Sequence, residues 1–212
     1  MIRVLIVDDQ HLVRAGLRML CESTDDIEVA GEATGGAEAV RLAARLAPDV
    51  VIMDLRMPGM DGIAATTRIL GERPATRVVV LTTFDDDDHL YPALAAGACG
   101  FLAKDVAPET LVDAIRRAAD GDSPFSTPVL RRLVAQAVGA RQEEPAVPDL
   151  DLTGRERTVL TLVAEGLSNA EIADRLHIGV TTVKTHVAGL MTKTGCPNRV
   201  RLAVFAARNG LT

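Results

Sequence analysis

The sequence predicts a doubly wound (βα)5 domain with a parallel sheet, followed by a small all-α domain of four helices. Three observations support this prediction. Within residues 1–122, apolar runs alternate five times with helical patterns, and such alternation builds parallel sheets with right-handed crossovers. Several runs are continuously apolar, as strands buried on both faces are. Residues 149–212 contain helical patterns and no strand pattern.

Each predicted strand is a short run rich in aliphatic residues. The strands are expected at Arg3–Val7, Ile27–Gly31, Val50–Met53, Arg77–Leu81 and Gly100–Leu102. A helical pattern follows each strand, at His11–Glu22, Gly36–Leu46, Gly62–Gly71, Asp87–Ala96 and Pro108–Asp120. The last pattern begins with a proline and a glutamate, which favour a helix start because proline suits the first turn and an acid suits the positive end of the helix dipole.

The fourth helical pattern contains Pro92. A proline inside a helix removes one backbone hydrogen bond and clashes with the preceding turn. We therefore expect this helix either to begin late, near Tyr91-Pro92, or to be kinked, with the acids 85–88 in a loop or frayed turn. Any dimerisation of this domain is then expected to use other helices, such as the first and fifth.

Residues 123–148 differ in composition from both flanking regions and predict a linker. Pro128 is expected to open a short helix, with Thr127 as its cap. The segment 142–149, which contains two prolines and two glutamates, predicts a flexible and partly extended connection. The expected divisions are therefore 1–122, 123–148 and 149–212.

Two capped helices open the C-terminal domain. Thr153 with Glu156 three residues later has the spacing of a capping box, and Gly166 predicts the end of that helix. Ser168-Asn169 is expected to cap a second helix over Ala170–Leu176. A fourth helical pattern covers Val200–Arg208.

The second and third helices of this domain predict a helix-turn-helix, since only a tight turn containing Gly179 separates them. Thr181 or Thr182 is the expected cap of the third helix, which runs to about Lys193. Its apolar side chains share one face, namely Val183, Val187 and Leu190. The opposite face carries small, polar or basic side chains, namely Lys184, Thr185 and Ala188. A helix that enters the major groove of DNA has such a face.

Polar side chains follow four of the predicted strands. Asp8 and Asp9 follow the first, Asp54 the third, Thr82 the fourth and Lys104 the fifth. Ligands of open α/β sheets bind beyond the carboxyl ends of the strands, so these groups are expected to converge. A single aspartate in such a place often only caps the next helix. Carboxylates together with a lysine favour a divalent cation beside a phosphoryl group.

The order and spacing of these residues resemble the receiver domain of two-component response regulators, over roughly the first 120 residues. The resemblance implies that Asp54 accepts a phosphoryl group from the phosphohistidine of a sensor histidine kinase. It also implies that Mg²⁺ is held by Asp8, Asp9, Asp54 and the backbone carbonyl of Arg56. Aspartyl phosphates are established products of carboxylate nucleophiles.

The same resemblance implies a switch. Lys104 would neutralise charge on the phosphoryl oxygens. Thr82 and Phe101 would respond to phosphorylation, the first through its hydroxyl and the second by repacking. Ordinary core packing remains an equal alternative for Phe101 on the sequence alone.

The C-terminal motifs resemble the LuxR-type DNA-binding domain, and the whole chain is similar to response regulators of the NarL/FixJ family. The matching segments are Leu152-Thr153, Arg155-Glu156, Gly166–Asn169, Glu171–Ala173, Thr182–Val187 and Arg199 with Ala203-Val204.

This second resemblance implies DNA contacts. Lys184, Thr185 and Ala188 fall where the family places base-reading side chains. The family often carries a longer side chain than Ala188, although an alanine can still contact a thymine methyl. Contacts with the phosphate backbone are expected from Asn169, Thr181, Thr182 and Arg199.

Charge is unevenly distributed along the chain. Residues 1–122 carry a formal charge of −9, whereas residues 149–212 carry +2 and have no acid after Asp174. Such asymmetry suggests a part that faces nucleic acid. Cys21, Cys99 and Cys196 form no CxxC pair, which is typical of reduced thiols in a cytoplasmic protein. No apolar stretch reaches the ~20 residues that span a membrane.

The leading hypothesis is a phosphorylation-controlled transcriptional regulator that binds promoter DNA as a homodimer and is not an enzyme. One alternative is a DNA-binding regulator that is constitutive and independent of phosphorylation. A less favoured alternative is an aspartate-nucleophile phosphatase. Such enzymes usually place the nucleophile in an Asp-x-Asp arrangement after the first strand, whereas this strand ends in adjacent Asp8-Asp9.

Overall fold

A computed structural model describes residues 1–82, 87–124, 152–196 and 198–211. The chain divides into two compact units, Met1–Pro124 and Phe125–Thr212. The linker helix predicted after Thr127 and the extended segment 142–149 both lie outside the described residues. The divisions 1–122, 123–148 and 149–212 therefore stay a prediction.

The first unit is a five-stranded parallel sheet in the order β2-β1-β3-β4-β5. Its strands are β1 Ile2–Val7, β2 Ile27–Ala33, β3 Val50–Met53, β4 Arg77–Thr82 and β5 Gly100–Ala103. Its helices are α1 His11–Glu22, α2 Gly36–Leu46, α3 Gly62–Glu72, α4 Asp87–Ala95 and α5 Pro108–Ala119. The predicted doubly wound class is confirmed.

The sheet has a hydrophobic core on each face, which explains the continuous apolar runs. One core packs strand residues such as Ile6 and Ile52 against residues of α1 and α5, including Leu17 and Ile115. The other packs the alternate strand residues against α2 and α3, for which Ile69 is an example. All four residues of β3 are buried because both faces of that strand are covered.

The start of α4 corrects one expectation. The helix begins at Asp87 and contains Pro92, so the first alternative, a late start near Tyr91, is wrong, and the second, a kink at Pro92, stays a prediction. Pro92 lies beyond the first turn, where a proline costs a hydrogen bond. Leu90 and Leu94 are only 1% and 4% exposed, and their packing offsets that cost. The acids 85 and 86 lie outside the described residues.

The described residues of the second unit form helices joined by short turns, and they include no strand. Its helices are α6 Gly154–Ala164, α7 Asn169–Leu176, α8 Val180–Thr194 and α9 Arg199–Arg208. Both predicted caps at the start of α6 and α7 are present, and each is a complete capping box. Buried residues from all four helices form one core, including Leu160, Ile172, Leu190 and Leu202.

The start of α8 differs from the prediction. Gly179 is the N-cap, without a side-chain hydrogen bond, so neither Thr181 nor Thr182 caps the helix. The reason is the shortness of the turn. His177 ends α7 in a left-handed conformation with φ of 51°, and only Ile178 separates it from Gly179. Both threonines therefore lie in the first turn of α8, and both are exposed.

No helix in the described parts of the chain is both long enough and apolar enough to cross a membrane.

Candidate phosphoacceptor site and DNA-binding helix

The change in strand order brings Asp8 and Asp54 together. In the sheet, β2 lies on one side of β1, and the chain then returns to place β3 on the other side. The position between β1 and β3 is therefore the topological switch point. Val7 pairs with Met53 at the carboxyl ends of these strands. The N–H of Asp54 then donates to the carbonyl oxygen of Val7 at 2.9 Å. Asp8 and Asp54 are therefore neighbours at the rim of the sheet.

Lys104 joins the two carboxylates. Its Nζ lies 2.7 Å from Oδ2 of Asp8 and 2.9 Å from Oδ2 of Asp54. The backbone N–H of Lys104 donates to the carbonyl oxygen of Thr82 at 2.7 Å, which ties the lysine to the end of β4. The predicted convergence is therefore present for Asp8, Asp54 and Lys104.

Three carboxylates at this rim have the spacing of a metal site. Oxygen atoms of Asp8, Asp9 and Asp54 lie within 4.8 Å of one another. Asp8 and Asp54 are buried, at 1% and 4% exposure, whereas Asp9 is exposed. Hard divalent cations such as Mg²⁺ prefer oxygen ligands and keep several waters, so a partly exposed set of carboxylates fits one.

The rim shifts the pKa values of its members. Burial raises the pKa of Asp54 above its usual range, although hydrogen bonds from Lys104 and the backbone N–H of Arg56 oppose that shift. Burial acts to lower the pKa of Lys104, but its hydrogen bonds to Asp8 and Asp54 outweigh burial and leave the pKa raised. Lys104 therefore stays charged, whereas burial makes the charged form of the Asp54 carboxylate less favourable than it is in water.

Gly62 holds the loop after the acceptor candidate close to the strand. A Cβ at this position would lie 2.1 Å from the carbonyl oxygen of Asp54. The N–H of Gly62 donates to Leu55 at 3.0 Å, and Asp61 caps α3 through the N–H of Ala64. The sequence pattern does not indicate this role for Gly62 beyond placing a glycine at the start of the third helical pattern.

Thr82 and Phe101 lie on adjacent strands, β4 and β5. Thr82 is 1% exposed and pairs with Ala103, and Phe101 is buried in β5. The N–H of Phe101 donates to the carbonyl oxygen of Pro124 at 3.2 Å. A Cβ at Gly100 would lie 2.7 Å from the Pro124 ring. The segment that leaves the first unit therefore packs on the edge of β5, a contact not evident in the sequence. The switch roles of Thr82 and Phe101 stay predictions, as does that of the Arg56 carbonyl.

Replacing Asp9 with asparagine is expected to stabilise the metal-free protein and weaken its binding of Mg²⁺. Clustered carboxylates repel one another. Removing one charge that lies within 4.8 Å of another relieves on the order of 1 kcal/mol in a water-like environment. Thermal unfolding and calorimetric titration with Mg²⁺ would measure the two effects. Unchanged Mg²⁺ affinity would contradict the role of Asp9.

Helix α8 presents the predicted surface. Its buried side chains Val183, Val187 and Leu190 pack in the core of the second unit. Thr185 and Ala188 are exposed, and Lys184 is half-buried. The Thr185 hydroxyl donates to the carbonyl oxygen of Thr181 at 3.0 Å, so the exposed side chain is held against its own helix.

The burial of Asn169 and Arg199 does not favour the predicted contacts with DNA phosphates. They are 2% and 6% exposed, and the Arg199 guanidinium donates to Oδ1 of Asn169 at 2.7 Å and to the carbonyl oxygen of Leu167. A side chain buried in this way is not presented to DNA phosphates. The pair instead links the start of α7 to the start of α9, so these two side chains are left out of the proposed DNA-binding set.

The capping residue Glu156 has a second partner that the sequence did not indicate. Its carboxylate accepts from Nζ of Lys193 at 2.8 Å, in addition to the N–H of Thr153. The hydrogen bonds from Lys193 and Thr153 lower the pKa of Glu156 to about 2. This contact fixes the end of α8 against the start of α6.

Two protein-family models match this chain. Residues 4–116 match the response regulator receiver domain, and residues 150–206 match the bacterial regulatory proteins of the luxR family. The first match covers the sheet with its acidic rim, and the second covers α6 to most of α9.

Whole-chain comparisons agree with these matches. The chain is 44% identical over 211 residues to the transcriptional regulatory protein LiaR of Bacillus subtilis, covering 100% of this chain and 99% of LiaR. It resembles the response regulator ChrA of a heme-sensing two-component system, with a TM-score of 0.54, 34% identity and coverage of 100% and 98%. It also resembles RcsB in a structure of two dimers bound to two parallel DNAs, with a TM-score of 0.57, 28% identity and coverage of 95% and 96%.

The fold and its acidic rim thus define a receiver domain, and the helices that follow define a LuxR-type DNA-binding domain. The chain belongs to the two-component response regulators that combine these two domains and act as transcriptional regulators.

Proposed function

We propose that Asp54 of this chain accepts a phosphoryl group from a sensor histidine kinase, with Mg²⁺ bound by Asp8, Asp9, Asp54 and the Arg56 carbonyl. The modification then promotes dimerisation and binding to promoter DNA in the cytoplasm. One observation carries the proposal, namely that the buried Asp54 carboxylate lies 2.9 Å from the Lys104 ammonium and within 4.8 Å of the other two acids.

The transfer exchanges one bond to phosphorus for another. An Asp54 oxygen forms the new bond while the bond to the imidazole nitrogen of the donor breaks, and that nitrogen keeps the electron pair. Lys104 is positioned to place a positive charge beside the transferred oxygens. A bound Mg²⁺ would supply further neutralisation of those oxygens.

The Asp54 environment also favours accepting a phosphoryl group. Burial makes the charged carboxylate costly, and phosphorylation converts it to an acyl phosphate, whose negative charge resides on the added phosphoryl oxygens. The cation and Lys104 would then neutralise that charge. Burial therefore supports a role as a nucleophile rather than as a helix cap.

DNA binding is assigned to the outer face of α8. Lys184, Thr185 and Ala188 are proposed to contact base edges, and the exposed Thr181 and Thr182 are proposed to contact phosphates. One helix-turn-helix covers a half-site, and paired half-sites lie about 34–36 Å apart or at multiples of that. A homodimer therefore provides the two recognition helices that such a site requires.

Replacing Thr185 with alanine is expected to weaken binding to a selected DNA site by about 1–3 kcal/mol and to relax base preference at one position. The DNA would be chosen from random duplexes with the phosphorylated wild type, and affinities would be measured by fluorescence anisotropy at fixed salt.

Thr158 provides a matched control. It is exposed on α6, and its hydroxyl donates to the carbonyl oxygen four residues before it, as that of Thr185 does. Thr158→Ala therefore makes the same change to a helix away from the proposed interface and should leave affinity within about twofold. Equal effects of both variants would reject the assignment of the outer face of α8.

A further inference from the structure

Every backbone and carboxylate group of Asp8 has a partner. Its N–H donates to Ala33 at 3.2 Å, its Oδ1 accepts from the N–H of Gln10 at 2.8 Å, and its Oδ2 contacts Lys104 at 2.7 Å. The remaining group, its carbonyl oxygen, accepts from the guanidinium of Arg14 at 2.8 Å. Of these four partners, Arg14 is the one that lies on α1, and its side chain contacts the backbone of Asp8.

Arg14 is itself held in place. It is 8% exposed, and its Nε donates to Oε2 of Glu32 at 3.3 Å. Glu32 lies on β2 and pairs with Ile6 of β1, two residues before Asp8. The guanidinium is planar with donors in a fixed fork, so contacts with Asp8 and Glu32 together define its orientation.

We propose that Arg14 is a positioning residue for the metal site, which fixes the backbone of Asp8 and is oriented by Glu32. The inference rests on the proposed function, since it assumes that Asp8 binds the cation. Groups that orient metal ligands from outside the coordination sphere commonly affect metal affinity by about 10- to 100-fold. Nothing in the sequence pattern of α1 distinguishes this arginine from a surface residue.

Charge and geometry predict opposite changes in Mg²⁺ affinity when Arg14 is replaced. A fixed guanidinium near a cation site repels the cation, so on charge alone a neutral replacement of Arg14 would strengthen binding of Mg²⁺. If Arg14 acts by holding Asp8, the same replacement weakens binding. The sign of the change therefore separates the two roles.

The test uses the full chain, with Mg²⁺ alone as the ligand, titrated by calorimetry. Arg14→Lys keeps the charge but loses the fork, and we expect about tenfold weaker binding of Mg²⁺. Arg14→Gln, which is neutral, is expected to weaken it as well. Rates of phosphorylation by a small phosphodonor should recover to within about twofold of wild type at saturating Mg²⁺, because the nucleophile itself is unchanged.

Arg18→Lys is the matched control. Arg18 also donates to Glu32, but its side chain is 39% exposed and its other hydrogen bond goes to Glu22 rather than to Asp8. It should bind Mg²⁺ within about twofold of wild type. Glu32→Asp keeps all charges and draws the carboxylate back from Arg14. It should weaken Mg²⁺ binding in the same direction, and it provides the test if the Arg14 variants do not fold by circular dichroism.

Wild-type Mg²⁺ affinity in Arg14→Lys, tighter binding in Arg14→Gln, or an equal loss in Arg18→Lys would each overturn the inference. The variant Asp8→Asn distinguishes failure of the Arg14 inference from failure of the proposed function. If Asp8→Asn binds Mg²⁺ as wild type does, the metal assignment itself is wrong. If Asp8→Asn is impaired and Arg14→Lys is not, only the role of Arg14 is rejected.

Discussion

Asp54→Asn is expected to abolish phosphorylation of the chain. Incubation with a small phosphodonor and Mg²⁺ should add one phosphoryl group to the wild-type protein and none to the variant, as measured by intact-protein mass spectrometry. The reason is chemical, because an amide oxygen is a far weaker nucleophile than a carboxylate. The change is nearly isosteric, and Lys104 keeps its contact with Asp8 at 2.7 Å.

Unfolding does not provide an alternative explanation for that loss. Burial raises the pKa of Asp54 in the folded protein, so the folded chain holds the proton more tightly than the unfolded chain does. The contribution of this carboxyl to stability therefore falls as pH rises through its raised pKa. At neutral pH, in the absence of metal, Asp54→Asn should be at least as stable as the wild type in thermal unfolding.

Asp61→Asn is the matched control for the phosphorylation assay. Asp61 lies in the same loop, is exposed and caps α3, and asparagine is an equally good cap. This variant should be labelled as the wild type is. Equal labelling of Asp54→Asn and Asp61→Asn would rule out Asp54 as the acceptor.

Thr82→Ala is expected to keep phosphorylation but lose most of the resulting gain in DNA affinity. A hydroxyl that donates to a charged group contributes about 1.5–3 kcal/mol. Moving a population from 1:99 to 99:1 requires about 5.5 kcal/mol. Loss of the hydroxyl therefore reduces the phosphorylation-linked gain by roughly 10- to 150-fold, and Lys104 and Phe101 must supply the rest.

Thr82→Ser separates the hydroxyl from the packing of the methyl group. Thr82 is 1% exposed, so both variants lose a buried methyl group, but only alanine loses the donor. We expect serine to retain most of the gain, measured as the ratio of DNA affinities with and without phosphodonor. If alanine retains the full ratio, Thr82 is a core residue and has no part in the switch.

The sequence predicted those features that depend on local pattern. Apolar runs and capping residues predicted the strands and most helix ends. The aspartates that directly follow the first and third strands predicted the acidic rim. The burial of Asn169 and Arg199 was missed because their hydrogen bond joins residues 30 positions apart. The Arg14 contact with Asp8 and Glu32 was missed for a similar reason, since Glu32 reaches it only through the pairing of β1 with β2.

Two further misses have a different cause. A proline in a helical pattern indicates a late start or a kink, yet α4 is helical from Asp87, with Leu90 and Leu94 buried. A threonine pair predicts a cap, yet the turn between α7 and α8 is too short to place it there. In the first case tertiary packing outweighs the local cost of a proline, about 3 kcal/mol. In the second the length of the turn outweighs a preference for a threonine cap of about 1 kcal/mol.

The most direct test of the central claim is the affinity of the full-length chain for a selected DNA site, measured with and without phosphodonor and Mg²⁺, alongside Asp54→Asn. Phosphorylation should tighten binding by the wild type and produce two-site occupancy, while Asp54→Asn should stay at the unphosphorylated affinity. If the untreated wild type binds as tightly as the phosphorylated form, the regulator is constitutive and the proposed control by Asp54 is wrong.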